Sequence, residues 1–146
     1  MTLNIAGGVR KRLVDDGTLT AMLATYAFEG GNAPAIFVAP VPADFEVVEL
    51  PSIIVDEPIV DPDTSTYTEA RRDPSLNVRI YAKHNGSTLA LKAAAERART
   101  LLKHWDTQSF STGKLEGSIV NGPTPAPTDD PSIEGRLLSV QLLIRE

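Results

Sequence analysis

His84 and His104 are the only imidazoles in a chain of 146 residues that contains no cysteine. The missing thiol excludes disulfides, thiolate metal sites and a cysteine nucleophile. Neither histidine sits in a His-Glu-x-x-His or comparable spacing, and a metal site needs more converging ligands than one isolated ring. His84 follows Lys83 at the end of an alternating stretch, and His104 precedes Trp105 near the end of a helical one. The plain reading is a turn residue and a helix-end residue. Serines are present but Gly-x-Ser-x-Gly is absent, so nucleophilic hydrolase chemistry has no support. Gly7-Gly8 and Gly30-Gly31 are too short for phosphate loops, and no Gly-Lys-Ser/Thr occurs. Asp61-Pro62-Asp63 opens like a calcium loop but lacks the central glycine and the closing glutamate, which leaves a solvated acidic loop. Arg10-Lys11-Arg12 and Arg71-Arg72 are short basic clusters without interleaved aromatics on a chain of net charge -5, a poor base for nucleic-acid binding. No cofactor, metal or catalytic residue is expected.

The charges are unevenly distributed. From Leu13 to Ala70, 58 residues carry no lysine or arginine and 11 carboxylates. Arg10, Lys11 and Arg12 precede that window and the other cations begin at Arg71. A fold built this way has one acidic region and one mixed or basic region, so copies can meet by charge while the acidic wall repels polyanions. The length suits one domain with a core of Val, Ile, Leu and Ala, since aromatics are only 5% of the chain. No run reaches the ~20 apolar residues of a membrane span. Met1 to Ile5 lacks a basic head before an apolar stretch, so no signal peptide is expected.

Ile5, Val9 and Leu13 recur every four residues and predict a first helix. Asp15-Asp16-Gly17 breaks it, and Thr18 is expected to cap a second helix over Leu19 to Tyr26, closed by Glu29-Gly30-Gly31-Asn32. Ala35 to Ala39 and Ser52 to Val55 read as strands. Pro58 to Pro74 is too polar for core and reads as a long exposed loop or hairpin arm. Leu76, Val78, Ile80 and Ala82 alternate with polar residues, the pattern of a half-buried strand. After Asn85-Gly86-Ser87, with Ser87 or Thr88 as cap, Leu91, Ala94, Ala98, Leu101 and Trp105 mark the longest helix. Leu115 to Val120 is a weak strand, Gly122 to Pro131 with its four prolines is expected to be irregular, and Leu138 to Ile144 closes the chain as a strand. The order α-α-β-β-β-α-β-β predicts a single α+β domain over 1–146, a mainly antiparallel sheet with helices packed on one face, and extended loops near 58–74 and 121–135.

The blocks Asp15 to Ala24, Ala35-Ile36-Phe37-Val38 with Pro40, Leu50-Pro51-Ser52-Ile53-Ile54-Val55, Leu76 to Tyr81 and the Ala-rich helix ending Leu101-Leu102 come in a familiar order. From about Ile5 to Ile144 it resembles that of the small tail-terminator (tail-completion) proteins of long-tailed bacteriophages and phage-like gene transfer particles. The resemblance implies a structural, non-enzymatic virion protein at the neck, assembled in the host cytoplasm. Such a protein forms a homo-oligomeric, usually hexameric, ring that caps the tail tube protein, stops tube polymerisation and docks the head-completion (stopper) protein. DNA passes through the lumen without specific binding, and no membrane is involved. A carboxylate-lined lumen would repel phosphate where a basic one binds it, which nominates Asp56, Glu57, Asp61 and Asp63 for lumen-facing or ring-facing positions. Arg71, Arg72 and Arg79 are candidates to pair a neighbouring subunit's carboxylates, since arginine does so bidentately. The competing readings are another neck protein, such as a head-completion or head–tail joining protein, then a small hydrolase or metal-dependent enzyme, or a nucleic-acid-binding regulator.

Overall fold

In a computed structural model of the chain, the described residues are 4–28, 30–59, 71–72, 74–84, 88–106, 108–110 and 113–145. Helix α1 spans Ile5–Val14, capped by Asn4, whose side chain accepts from the Gly7 N–H at 2.6 Å. Lys11 and Arg12 occupy its last turn, where cations complement the helix dipole. Ile5, Ala6, Val9 and Leu13 are buried as the four-residue spacing predicts.

The second helix differs from expectation. Helix α2 is a single turn, Gly17–Thr20, and its cap is Asp16, which accepts from the Leu19 N–H at 2.8 Å. The chain then forms strand β1, Thr25–Phe28, antiparallel to β2, Gly31–Pro34. Thr, Tyr and Phe favour a pleated surface, and Gly30 at φ 80° turns a hairpin where a helix end was expected. Tyr26 gains edge-on contacts with Phe37 (centroids 5.4 Å apart) and Phe45 (5.9 Å), a small second core that the helical reading would have dispersed.

The main sheet contains β3 (Ile36–Val38), β4 (Ser52–Val55), β5 (Arg71–Arg72), β6 (Ser75–Lys83), β7 (Ser109–Phe110), β8 (Gly113–Pro125) and β9 (Ile133–Arg145). Its order is β3-β4-β6-β9-β8-β7, with β5 paired to the end of β9. Among the described strand pairs of this sheet only β3–β4 is parallel. Helix α3, Leu89–Leu102, follows β6 and buries Leu91, Ala94, Ala95, Ala98, Leu101 and Leu102. These join Leu76, Val78 and Ile80 of β6 and Leu138, Val140, Leu142 and Ile144 of β9 in one core with α1. The fold is a single α+β domain with a mainly antiparallel sheet, as the alternation in the sequence predicts.

The proline-rich stretch is more ordered than expected. Strand β8 continues through Pro125, pairing Thr124 with Leu137 and Pro125 with Arg136, so the predicted loop near 121–135 shrinks to the residues between Pro125 and Ile133. Proline is tolerated there because no described strand needs the N–H on the other edge of β8. Gly122, at φ 105°, has room only for hydrogen: a Cβ would lie 2.6 Å from the Leu137 carbonyl oxygen. A second irregularity, between Leu115 and Gly117, shifts the strand's phase. Leu115 and Ser118 both point inward, and Ile119 turns outward, 49% exposed. The buried Ser118 hydroxyl donates to the Leu102 carbonyl and accepts from the Trp105 N–H at 2.8 Å, satisfying the end of α3. Trp105 therefore lies beyond the helix, after His104 at φ 56°.

Polar ties fix the helices to one another. Asp16 receives the Arg97 guanidinium at 2.8 and 2.9 Å, joining the start of α2 to α3. Arg97's hydrogen bonds, opposed by burial and aided by the Leu19 N–H, hold the Asp16 carboxyl below its ordinary value of 3.8. The stability from a depressed carboxyl is complete above that value and is lost as pH falls through the lowered folded value. Asp16→Asn keeps the cap and removes the charge. It should cost about 1 kcal/mol at neutral pH for this partly exposed pair, and urea midpoints should fall less steeply below pH 4 than in the parent. Parallel acid slopes for the two proteins would contradict this assignment.

Candidate functional site

Asp56 directly follows β4 and its N–H donates to the Asn77 carbonyl at 2.9 Å. On β6, Arg79 meets it bidentately, Nε to Oδ2 at 2.9 Å and Nη2 to Oδ1 at 2.6 Å. Arg79 Nη1 also lies 3.4 Å from the Tyr81 hydroxyl, and the guanidinium sits over that ring at 5.8 Å. Asp56 raises the Arg79 pKa further, chiefly through these hydrogen bonds. Asp56 is expected at a lumen-facing or ring-facing position and Arg79 as a partner for a neighbouring subunit's carboxylates; the fold pairs the two with each other within one chain. The arrangement is a strut between β4 and β6, not a reactive group.

That strut stands on the sheet face away from the helices. There Phe45, Ile54, Arg79, Tyr81, Asp130 and Ile133 border an open cleft of about 410 Å³. Asp130 accepts from both the hydroxyl (2.7 Å) and the N–H (2.8 Å) of Ser132, which lower its pKa in that order and close the β8–β9 turn. Glu57 is exposed beyond Asp56. Asp61 and Asp63, with most of the predicted 58–74 loop, lie outside the described residues. Arg71 and Arg72 fall on β5 opposite Arg145 and Ile144.

The histidines do not converge. They flank α3 at opposite ends, and 14 helical residues span about 21 Å. His84 donates its N–H to the Ser132 carbonyl at 2.6 Å and places Nε2 3.2 Å from Glu134. Among the described residues no group of three His, Asp or Glu is placed to hold a metal, and no described helix is long and apolar enough to cross a membrane. The first basic cluster is taken up internally. Arg10 Nε donates to the Ile36 carbonyl at 2.8 Å, Arg12 Nε to the Leu101 carbonyl at 3.0 Å, and Lys11 pairs with Asp15.

The charge asymmetry of the sequence becomes spatial. The described part of the cation-free window builds α2, the separate β1–β2 hairpin, the segment before β4, and β3 and β4, which stand at one end of the main sheet's strand order. Lys83, Lys92, Arg99, Lys103, Lys114 and Arg145 lie on β6, α3, β8 and β9 or directly after α3. Of the acidic edge, Asp44 accepts from the Tyr26 hydroxyl at 2.9 Å, and Glu46 and Glu49 are exposed. Exposed aliphatics accompany them: Val48 at 45% and Leu50 at 52%. Ile119 is not legible as exposed in the sequence, because the β8 bulge inverts the side-chain phase without changing the residue pattern, and Val48 and Leu50 lie in an irregular segment that has no side-chain period to read.

No family model and no curated protein matches the chain. Among solved structures it is similar to a chain of the virion of a native gene transfer agent particle, with a TM-score of 0.76 and 17% identity over 98% of this chain and 96% of that one. The two chains share their fold over almost their full lengths.

Asp56→Asn should lower stability by about 1 kcal/mol, because a half-exposed Arg79 keeps its charge without a counter-ion. Glu57→Gln should stay within about 0.5 kcal/mol. Equal losses in urea melts would show that Glu57, too, is held in the fold.

Proposed function

We propose that this chain is a structural virion protein of a phage-like particle, and specifically the tail terminator at its neck. The observation that carries the reading is the shared fold with a gene transfer agent virion chain at full coverage. The block order from Ile5 to Ile144 supports it independently. In this role copies close into a ring on the last turn of the tail tube, halt its growth and offer the opposite face to the stopper protein.

Glu57, with Asp61 and Asp63, faces the bore and keeps DNA from adhering; at physiological salt such repulsion reaches about 8 Å. Asp56 belongs to the strut with Arg79 and contributes less net charge. Arg71 and Arg72 pair with a neighbour's carboxylates.

Deleting the gene should leave filled heads beside detached tail tubes of irregular length in electron micrographs. Normal-length tails joined to heads would refute the terminator role. Detached tails of uniform normal length would move the chain to another neck position.

A further inference from the structure

Two of the surfaces that the fold leaves exposed in the described chain lie toward opposite ends of the sheet's strand order. The first is the outer edge of β8. Beyond Leu115, whose N–H donates to the Gln108 carbonyl at 2.9 Å, no described strand pairs with that edge. An unprotected edge beside an exposed aliphatic is a template for association. Here the bulge before Gly117 presents Ile119 to solvent, and a cleft of about 450 Å³ bordered by Lys103, His104, Asp106, Glu116, Ile119 and Leu143 runs beside it. Glu116 is paired with Arg145 at 3.2 Å, and Lys103 on the cleft's border is a cation that an incoming carboxylate can meet.

The second surface is the segment from Glu46 to Leu50. It is anchored at one point, where the Val48 carbonyl accepts from the Lys83 N–H at 2.7 Å. It displays Glu46 and Glu49 with the half-exposed Val48 and Leu50, in a stretch of chain without any lysine or arginine.

We propose that these are the two halves of one contact between copies of this chain: the Glu46–Leu50 segment of one copy seats on the β8 edge of the next, with Val48 and Leu50 against Ile119 and with Glu46 and Glu49 near Lys103. Each surface supplies what the other lacks, aliphatic against aliphatic and acid against base. The surfaces differ, so the contact is heterologous: every copy keeps one free donor and one free acceptor face, and the assembly propagates until it closes. The contact supplies a mechanism for the ring of the terminator reading and rests on that reading only for its place in a particle.

The chain's lack of cysteine makes the test clean. Purified Val48→Cys and Ile119→Cys proteins, oxidised separately, should give little dimer; mixed, they should give dimer only. The double variant should give a ladder of higher species. Lys103→Glu should slow this cross-linking by about two- to five-fold, the range for a partly exposed ion pair, and adding Glu49→Lys should restore it. Self-cross-linking of Ile119→Cys alone, or a double variant that yields no more than the singles, would overturn the proposal. A ladder together with normal attached tails in the deletion strain would keep this contact and reject the terminator role.

Discussion

The central position of β9 constrains everything else in this molecule. It is bonded to β6 along one edge, from Ser75 opposite Gln141 to Lys83 opposite Ile133, and to β8 along the other. β5 extends the β6 side at Arg145 and Ile144. Its Leu138, Val140, Leu142 and Ile144 are fully buried under α3 and the rest of the core. With period 2, a slip of one residue would turn that whole set to the wrong face, so the register of the sheet is fixed here. What remains at either side is β3 beside β4, from the acidic part of the chain, and β8 with the two-residue β7, from the mixed or basic part.

That arrangement turns a feature of composition into a polarity of the molecule. The charge window would matter little if its residues were folded among the cations. Part of it is: Asp15, Asp16 and Asp56 are met by Lys11, Arg97 and Arg79 within the chain. Glu46, Glu49 and Glu57 remain exposed. The phase shift in β8 acts on the other side, exchanging a buried position for an exposed Ile119 while Ser118 turns in to close α3. A domain with unlike edges suits repeated head-to-tail contacts.

The sequence is most readable where one face is buried and the period is clean. Leu76 to Ala82 and Leu138 to Ile144 announce their strands, and the stripe from Leu91 to Leu101 announces its helix, because burial alone dictates those patterns. It is least readable where tertiary contacts decide. Thr25 to Phe28 forms a strand because Tyr26 finds Phe37 and Phe45. Pro123 and Pro125 are accommodated because that part of β8 lies at an edge. Among the site residues, Asp56 and Arg79 are both legible as charges, but their mutual pairing depends on the β4–β6 register. The outward turn of Ile119 has no signature beyond the small residues Gly117 and Ser118 at the bulge.

A density map of the particle's neck would decide whether unlike edges of this domain meet between copies. A closed collar is expected in which each copy's Val48 and Leu50 lie within van der Waals distance of the next copy's Ile119, with Glu57 toward the bore. A collar whose β8 edges face solvent, or meet each other across a two-fold axis, would contradict it.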